Sequence, residues 1–228
     1  MENKREFGQG AFSTFTNHVY WLMLINFYFV FCNLIFLFFY FTLEPVFSNI
    51  VIYLAALVPT GPSLAALYYS ISKIIHEKDL SPTKDFFYGY KINFKDALKL
   101  WLPLLTVIFI LLVDIQYFNA EQTVMNQIQG GIILVILLVI FVISLYAFPI
   151  HAAYNFRMRD TYRLSLYYSF TKIRATLGNI SFMVITIFLM YITSDLIIIL
   201  LISPVSYLMM LNSKEVMTDI KENFVKAA

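Results

Sequence analysis

The chain has 228 residues, of which 60% are hydrophobic and 13% are charged, with a mean hydropathy of +0.75 and a formal net charge of +2. These values lie far outside the range of water-soluble domains, because one core could not bury 23 Phe and 16 Tyr beneath so little polar surface. They exclude a soluble globular protein and predict an all-α, polytopic transmembrane helical bundle. The single cysteine, Cys32, excludes a disulfide framework and a paired-thiol site.

The first apolar run is predicted to be a retained membrane span. It begins near residue 19 and ends before Glu44-Pro45, so it is too long for the apolar region of a signal peptide and has no small-residue cleavage site. The later apolar runs give further spans close to the length that a hydrocarbon core of about 30 Å requires. The predicted spans cover residues 19–43, 48–74, 97–117, 129–153, 179–193 and 195–211.

The last apolar block, residues 180–211, is either one overlong helix or a hairpin of two short helices broken near Asp195. The distribution of Lys and Arg separates these alternatives, because basic residues accumulate in cytoplasmic loops. With six spans and a cytoplasmic N-terminus, all 16 basic residues fall in inner segments, whereas a five-span topology would place three C-terminal lysines outside. The outer segments then contain only the acidic residues Glu44, Asp114, Glu121 and Asp195.

These observations predict a single integral domain over residues 1–228, in the cell membrane, with both termini in the cytoplasm.

The first inner loop is predicted to contain a short interfacial helix. Ser81 is a favourable N-cap with Pro82 at the first helical position, Gly89 is a favourable stop, and Asn93 can cap the next helix. Aromatic residues can share one side of this segment while its lysines face lipid phosphates. The alternative is that the aromatic residues pack against the bundle. The candidate surface comprises Phe86, Phe87, Tyr90, Lys91, Phe94 and Lys95.

The second inner loop is predicted to contain another short helix, from Asp160 to Leu177, with Gly178-Asn179 as a stop and the cap of the fifth span. Its basic residues should attract anionic lipid by about 1 kcal/mol each. They extend the same candidate surface for lipid or a protein partner by Arg157, Arg159 and Arg163. Nucleic acid is not an expected ligand, because the net charge is only +2 and the basic residues lie on membrane-anchored segments.

Two proline-containing segments are predicted to bend spans two and four. The first contains Pro59, Thr60, Gly61 and Pro62, followed by the paired alanines Ala65 and Ala66; the second contains Pro149, followed by Ala152 and Ala153. Proline removes a backbone hydrogen bond, and paired alanines allow another helix to approach closely. The freed carbonyl groups cannot face lipid, so the bend in span two should face the interior of the bundle.

Chemistry-bearing motifs for nucleotide binding, hydrolysis or zinc binding do not occur in the sequence. The histidines His18, His76 and His151 are scattered, and no ionisable residue is expected near the middle of a span, which weakens an ion-coupled carrier. The polar residues Asn26 and Asn33 lie seven apart on one face of span one and are expected to form interhelical hydrogen bonds. No catalytic residue, metal site or cofactor is assigned.

Two segments carry a family resemblance. Val58 to Tyr68 (VPTGPSLAALY) and Asp85 to Lys95 (DFFYGYKINFK) resemble the signature of YesL-like membrane proteins, in which a T-x-G-P-type break precedes a D-F-[FW]-x-G-[FY]-K-x-N-F-K segment. In this chain the break is one residue shorter, as Thr60-Gly61-Pro62. Members are small multipass proteins of Gram-positive bacteria with no established activity, and they are frequently encoded beside carbohydrate ABC-transport and glycan-degradation genes. The resemblance therefore implies a context of sugar uptake.

Three functions remain open at this point. The preferred one is a non-enzymatic accessory or regulatory protein that works with components of a sugar ABC transporter through its basic, aromatic inner loops. The second is a small permease for a neutral solute such as a sugar, and the third is a membrane-bound enzyme acting on lipid or glycan precursors. The sequence leaves the oligomeric state open.

Overall fold

The computed structural model describes residues 11–77, 81–120, 123–154, 156–194 and 196–225, and within these ranges the regular secondary structure is helical. The predicted all-α class is confirmed. The helices are α1 (Ala11–Cys32), α2 (Leu34–Thr42), α3 (Ile50–Ala56), α4 (Thr60–His76), α5 (Pro82–Ala120), α6 (Val124–Ala153), α7 (Met158–Thr171), α8 (Ile173–Ile192), α9 (Ile197–Asn212) and α10 (Lys214–Asn223), and a 3-10 turn covers Phe47–Asn49.

Membrane spans are identifiable from length and composition. Among the described residues, α1, α5, α6 and α8 are each long and apolar enough to cross a bilayer. Two further pairs of helices, Phe47–Ala56 with α4 and α9 with α10, qualify only when each bent pair is counted as one span. The polytopic character is therefore confirmed, with four to six candidate spans.

Span two is broken where the prolines predict it. The segment Phe47–Ala56 and helix α4 meet at an angle of 47°, and Pro59 stands immediately before α4. Span one is also interrupted, because α1 ends at Cys32 and α2 begins at Leu34. The predicted first span, residues 19–43, is therefore divided between two helices, and Asn33 at the break binds α4 through its side chain.

Helix α5 is 39 residues long and continuous, about 58 Å at about 1.5 Å per residue. It begins at Pro82 as predicted, but it passes through Gly89 and Asn93 into the third span. The separate interfacial helix predicted in the first inner loop is therefore not formed. The physical reason is that Gly89 packs against a neighbouring helix instead of ending its own.

The second inner loop contains α7, as predicted, but the helix ends at Thr171 rather than at Leu177. A break at Lys172 separates it from α8, so Gly178 and Asn179 lie inside α8 and do not form a stop and a cap. A Cβ atom at Gly178 would lie 2.6 Å from the Asn212 amide of α9. Gly178 is thus a close-packing position between α8 and α9.

The C-terminal segment forms two helices. Helix α9 has 16 residues, about 24 Å at about 1.5 Å per residue, which is short for a bilayer core. The chain then bends by 56° into α10, whose residues Val216, Met217 and Ile220 are buried. Helix α10 was not predicted from the sequence. The position of the predicted break at Asp195 lies outside the described residues.

The core has two parts. The larger one joins α1, α4, α5, α6 and α9 around Ile25, Leu67, Phe86, Leu100 and Phe148. The smaller one joins α6, α7 and α10, and its buried residues are Tyr146, Ile150, Leu164, Tyr168, Val216, Met217 and Ile220. Helices α7 and α10, together with the first half of α5, form a charged end of the molecule. We call this part the basic end.

Candidate functional site

The break in span two is held by hydrogen bonds from span one. Asn33 Nδ2 donates to Ser63 Oγ at 2.8 Å, and Thr60 Oγ1 donates to Asn33 Oδ1 at 2.5 Å. Ser63 Oγ also donates toward the carbonyl oxygens of Pro59 and Thr60, at 3.0 Å each. The breaks in the first two spans therefore meet, and the side chain of one satisfies polar groups of the other.

A tryptophan completes this junction. Trp101 Nε1 of α5 donates to the carbonyl oxygen of Leu57 at 2.7 Å, so a carbonyl group at the break is bonded inside the protein. A Cβ atom on Gly61 would lie 2.5 Å from Trp101 Cβ, so only glycine allows this approach. Gly61 and Pro62 are buried, which confirms that the bend faces the interior.

The paired alanines of the two proline segments have different environments. Ala65 and Ala66 are both fully buried in the packing of α4, as expected. Helix α6 instead passes through the buried Pro149 without interruption and ends at Ala153, and Ala152 and Ala153 are only half-buried. A broken span like that at Pro59 does not occur at Pro149.

Asn26 forms a second contact of this kind. Its Nδ2 donates to the Ile199 carbonyl oxygen at 2.5 Å, and its Oδ1 accepts from the Ser203 backbone N–H at 3.0 Å. These are the two groups that pair with each other in a regular α-helix. The expectation that both asparagines form interhelical hydrogen bonds is confirmed.

The motif in the first half of α5 has mainly a packing role. Asp85 accepts from Lys73 Nζ of α4 at 2.8 Å and from the Ser81 backbone N–H at 2.8 Å. A Cβ atom on Gly89 would lie 2.7 Å from Tyr69 of α4, and Asn93 Nδ2 donates to the Gly89 carbonyl oxygen at 3.0 Å. The Lys73–Asp85 contact and the close approach at Gly89 hold α4 and α5 together as a hairpin.

The candidate surface in this motif is only partly exposed. Phe86 is fully buried beside Tyr28 of α1, so its prediction as a surface residue was wrong. Phe86 and Phe87 occupy successive positions of one helix, and only the first of them points into the core. The aromatic residues Phe87 and Phe94 and the lysines Lys91 and Lys95 are exposed, whereas Tyr90 is half-buried.

The basic residues of the second inner loop lie at the surface. Arg157, Arg159 and Arg163 are all exposed on or next to α7. The aromatic residues Tyr167 and Phe170 on the same helix are exposed by 54% and 62%. The basic end thus presents arginines, lysines and aromatic rings from two helices.

Helix α10 fixes α7 in place. Tyr168 of α7 is 1% exposed and donates a hydrogen bond to the Asp219 carboxylate, while Tyr154 donates to the Met217 carbonyl oxygen at 2.6 Å. Burial, together with the Asp219 carboxylate, raises the pKa of Tyr168, so it remains a donor. The apolar spacing Val216, Met217 and Ile220 was the sequence signal for this helix.

A cavity of about 370 Å³ lies among α4, α5, α6, α8 and α9. Its wall is largely apolar, with Trp101, Phe141 and Phe148 among the aromatic residues. The polar side chains of the wall, apart from Trp101, are those of Tyr68, Ser144, Thr186 and Ser206. This is a ligand-sized space of the kind in which small molecules bind.

Among the described residues, no group of three or more His, Cys, Asp or Glu side chains could hold a metal ion. His151 is 6% exposed, and its Nε2 has no hydrogen-bond partner. His76 lies in a separate surface cleft with Lys214 and Lys221.

These features define a polytopic helical membrane protein. Residues 22–115 match the model of a family described as protein of unknown function, DUF624. The matched range contains both motifs that carry the resemblance, so the predicted similarity to an uncharacterised membrane-protein family is confirmed. Comparisons with curated proteins and with solved structures gave no match.

Proposed function

We propose that the protein is a non-enzymatic accessory or regulatory protein of the cell membrane that works with a carbohydrate uptake system. The observation that carries the proposal is the basic end, in which α7 and α10 are packed against the bundle and still leave aromatic and basic side chains exposed. The basic end would face the cytoplasm, as would both termini.

The composition of the basic end suits a protein partner. Aromatic residues and arginine are enriched in protein interfaces and supply much of their binding energy. Phe87, Phe94, Tyr167 and Phe170 are each at least 39% exposed among lysines and arginines. The same cations would attract anionic lipid beside the partner. The sugar context follows from the resemblance to YesL-like proteins.

Affinity purification in mild detergent tests this proposal. The wild type is expected to recover subunits of a sugar ABC transporter, and a Phe87→Ala/Phe94→Ala variant is expected to lose them. The matched control is Phe188→Ala in α8, whose side chain is 61% exposed but lies away from the basic end. This control should retain the partner.

Growth provides the second measurement. A deletion strain is expected to grow more slowly on at least one glycan, with rescue by wild type and by Phe188→Ala but not by the double variant. Recovery of no transport component, together with unchanged growth on every glycan, would rule the proposal out.

A further inference from the structure

The cavity is a seam between two pairs of helices. Helices α8 and α9 pack on each other, and α9 also packs on α1 and α4. Contact of this pair with α6 is slight, and contact with α5 is slighter still. The cavity of about 370 Å³ is the gap between the α5–α6 pair and the α8–α9 pair. We call this gap the seam.

The wall of the seam favours an apolar occupant over a polar one. Trp101 donates to the Leu57 carbonyl at 2.7 Å, Ser144 to the Phe141 carbonyl at 2.6 Å, and Thr186 to the Phe182 carbonyl at 2.8 Å. Three of the five polar side chains of the wall thus already have a partner inside the protein, and the rest of the wall is apolar apart from Tyr68 and Ser206. A sugar would lose its hydrogen bonds to water here without gaining enough new ones.

Water is also a poor occupant, because buried water needs two to four polar partners and apolar cavities stay dry. A hydrocarbon chain needs no such partner and gains contacts with the Leu, Ile, Met and Phe side chains of the wall. At about 30 Å³ per water-sized group, the seam has room for on the order of a dozen such groups, which is the size of much of an acyl chain.

The surroundings of the seam make bilayer lipid the nearest source of such a chain. Ile198 lines the seam and is 36% exposed on the outside of α9. The neighbouring surfaces of α6 and α8 are apolar and exposed, at Leu134 and Leu138 on one side and Ile185 and Phe188 on the other. A chain can therefore pass from the lipid into the seam without crossing a polar surface.

We propose that the seam between α5–α6 and α8–α9 is a binding site for an acyl chain of a membrane phospholipid, beside Trp101 and Phe148. This site is independent of the basic end and of any partner bound there. A hydrocarbon chain in the seam would also leave no room for a sugar to pass through this cavity.

Tryptophan fluorescence tests the proposal directly, because the chain contains only Trp21 and Trp101. A Trp21→Phe variant leaves the seam residue as the single fluorophore. It is reconstituted into phosphatidylcholine vesicles whose acyl chains carry bromine near their middle, and bromine quenches tryptophan on contact. Strong quenching of Trp101 is expected, with little quenching by aqueous acrylamide.

The critical comparison is between the parent protein and a variant in which a larger side chain fills the seam. Ser144→Phe in the Trp21→Phe background places a ring in the seam and should abolish most of the quenching. Ser181→Phe is the matched control, because Ser181 also donates to a carbonyl of its own helix but is exposed on α8 and does not line the seam. This control should keep the quenching of the parent.

Equal quenching in all three proteins would overturn the proposal, because bromine would then reach Trp101 from the general lipid surface. Quenching by acrylamide instead of bromine would also overturn it, since the seam would then contain water. Should Ser144→Phe not fold, Thr186→Leu fills the seam more gently, and Thr193→Leu is its exposed control with the same type of backbone hydrogen bond.

Discussion

Gly61 is a position at which α4 and α5 approach each other closely. We expect Gly61→Ala to lower the free energy of unfolding by about 1–3 kcal/mol, because its Cβ would meet Trp101 at 2.5 Å and the ring could not stay in place. Thermal unfolding in detergent measures this change.

Gly131→Ala is the matched control for that substitution. Gly131 lies inside α6, and no atom lies within 4 Å of the Cβ that would be added. Alanine at an open helical position is expected to be neutral or to stabilise by up to about 1 kcal/mol. An unchanged unfolding temperature of Gly61→Ala would contradict the close packing at the junction.

Asn33 and Thr60 are expected to be energetically coupled, because Thr60 Oγ1 donates to Asn33 Oδ1 at 2.5 Å. A double-mutant cycle with Asn33→Leu and Thr60→Val should give a coupling energy of about 0.5–2 kcal/mol. The control cycle pairs Asn33→Leu with Thr106→Val, whose hydroxyl bonds only within α5, at the Leu102 carbonyl oxygen. Additive effects in both cycles would show that the two breaks are not joined.

The breaks in the helices follow two different rules. Pro59 and Pro82 act on their own helices, through a missing N–H and a fixed backbone angle, so the sequence predicted the break before α4 and the start of α5. Gly89 and Gly178 act on neighbouring helices, by making room for Tyr69 and Asn212. A glycine that ends a helix and a glycine that makes room for a neighbouring helix look the same in the sequence. Only the packing of the helices distinguishes them.

The prediction of the candidate surface was limited in a similar way. The sequence identified Phe87, Phe94 and the three arginines as exposed positions, but it could not tell Phe86 from Phe87, because the direction of each side chain depends on where α1 lies. The Asn33–Thr60–Ser63 contacts join residues about 30 positions apart, and no local pattern specifies such a pairing.

At the scale of elements, α10 is expected to contribute substantially to stability. Ile220 is fully buried in the core that joins α6, α7 and α10, so Ile220→Ala should cost about 2–5 kcal/mol. Its neighbour Lys221 is exposed, and Lys221→Ala should change the unfolding free energy by less than about 0.5 kcal/mol. Thermal unfolding of the two variants, side by side, measures the difference. Equal stabilities would mean that α10 is not packed on the bundle.

At the scale of the whole molecule, contacts between helices connect the broken spans, the long helix α5 and the basic end. Lys73 and Asp85 join the ends of α4 and α5, and Tyr162 donates to the Leu100 carbonyl oxygen, which brings α7 against α5. Asp85 belongs to a segment that carries the family resemblance, as do Gly61 and Gly89, at which α4 and α5 approach closely. The resemblance therefore marks a way of packing helices, and the proposed partner surface lies on the outside of that framework.

The proposed function requires a six-span bundle whose basic end faces the cytoplasm. Single cysteines in a Cys32→Ser background test it, placed at Lys91 and Lys221 on the basic end and at Glu44 and Thr123 on the opposite side, all exposed positions. In intact cells a membrane-impermeant maleimide should label the cysteines at Glu44 and Thr123, and it should label those at Lys91 and Lys221 only after permeabilisation. Labelling of either lysine position in intact cells would contradict the topology. The basic end would then lie outside the cell, where it could not bind the proposed cytoplasmic partner.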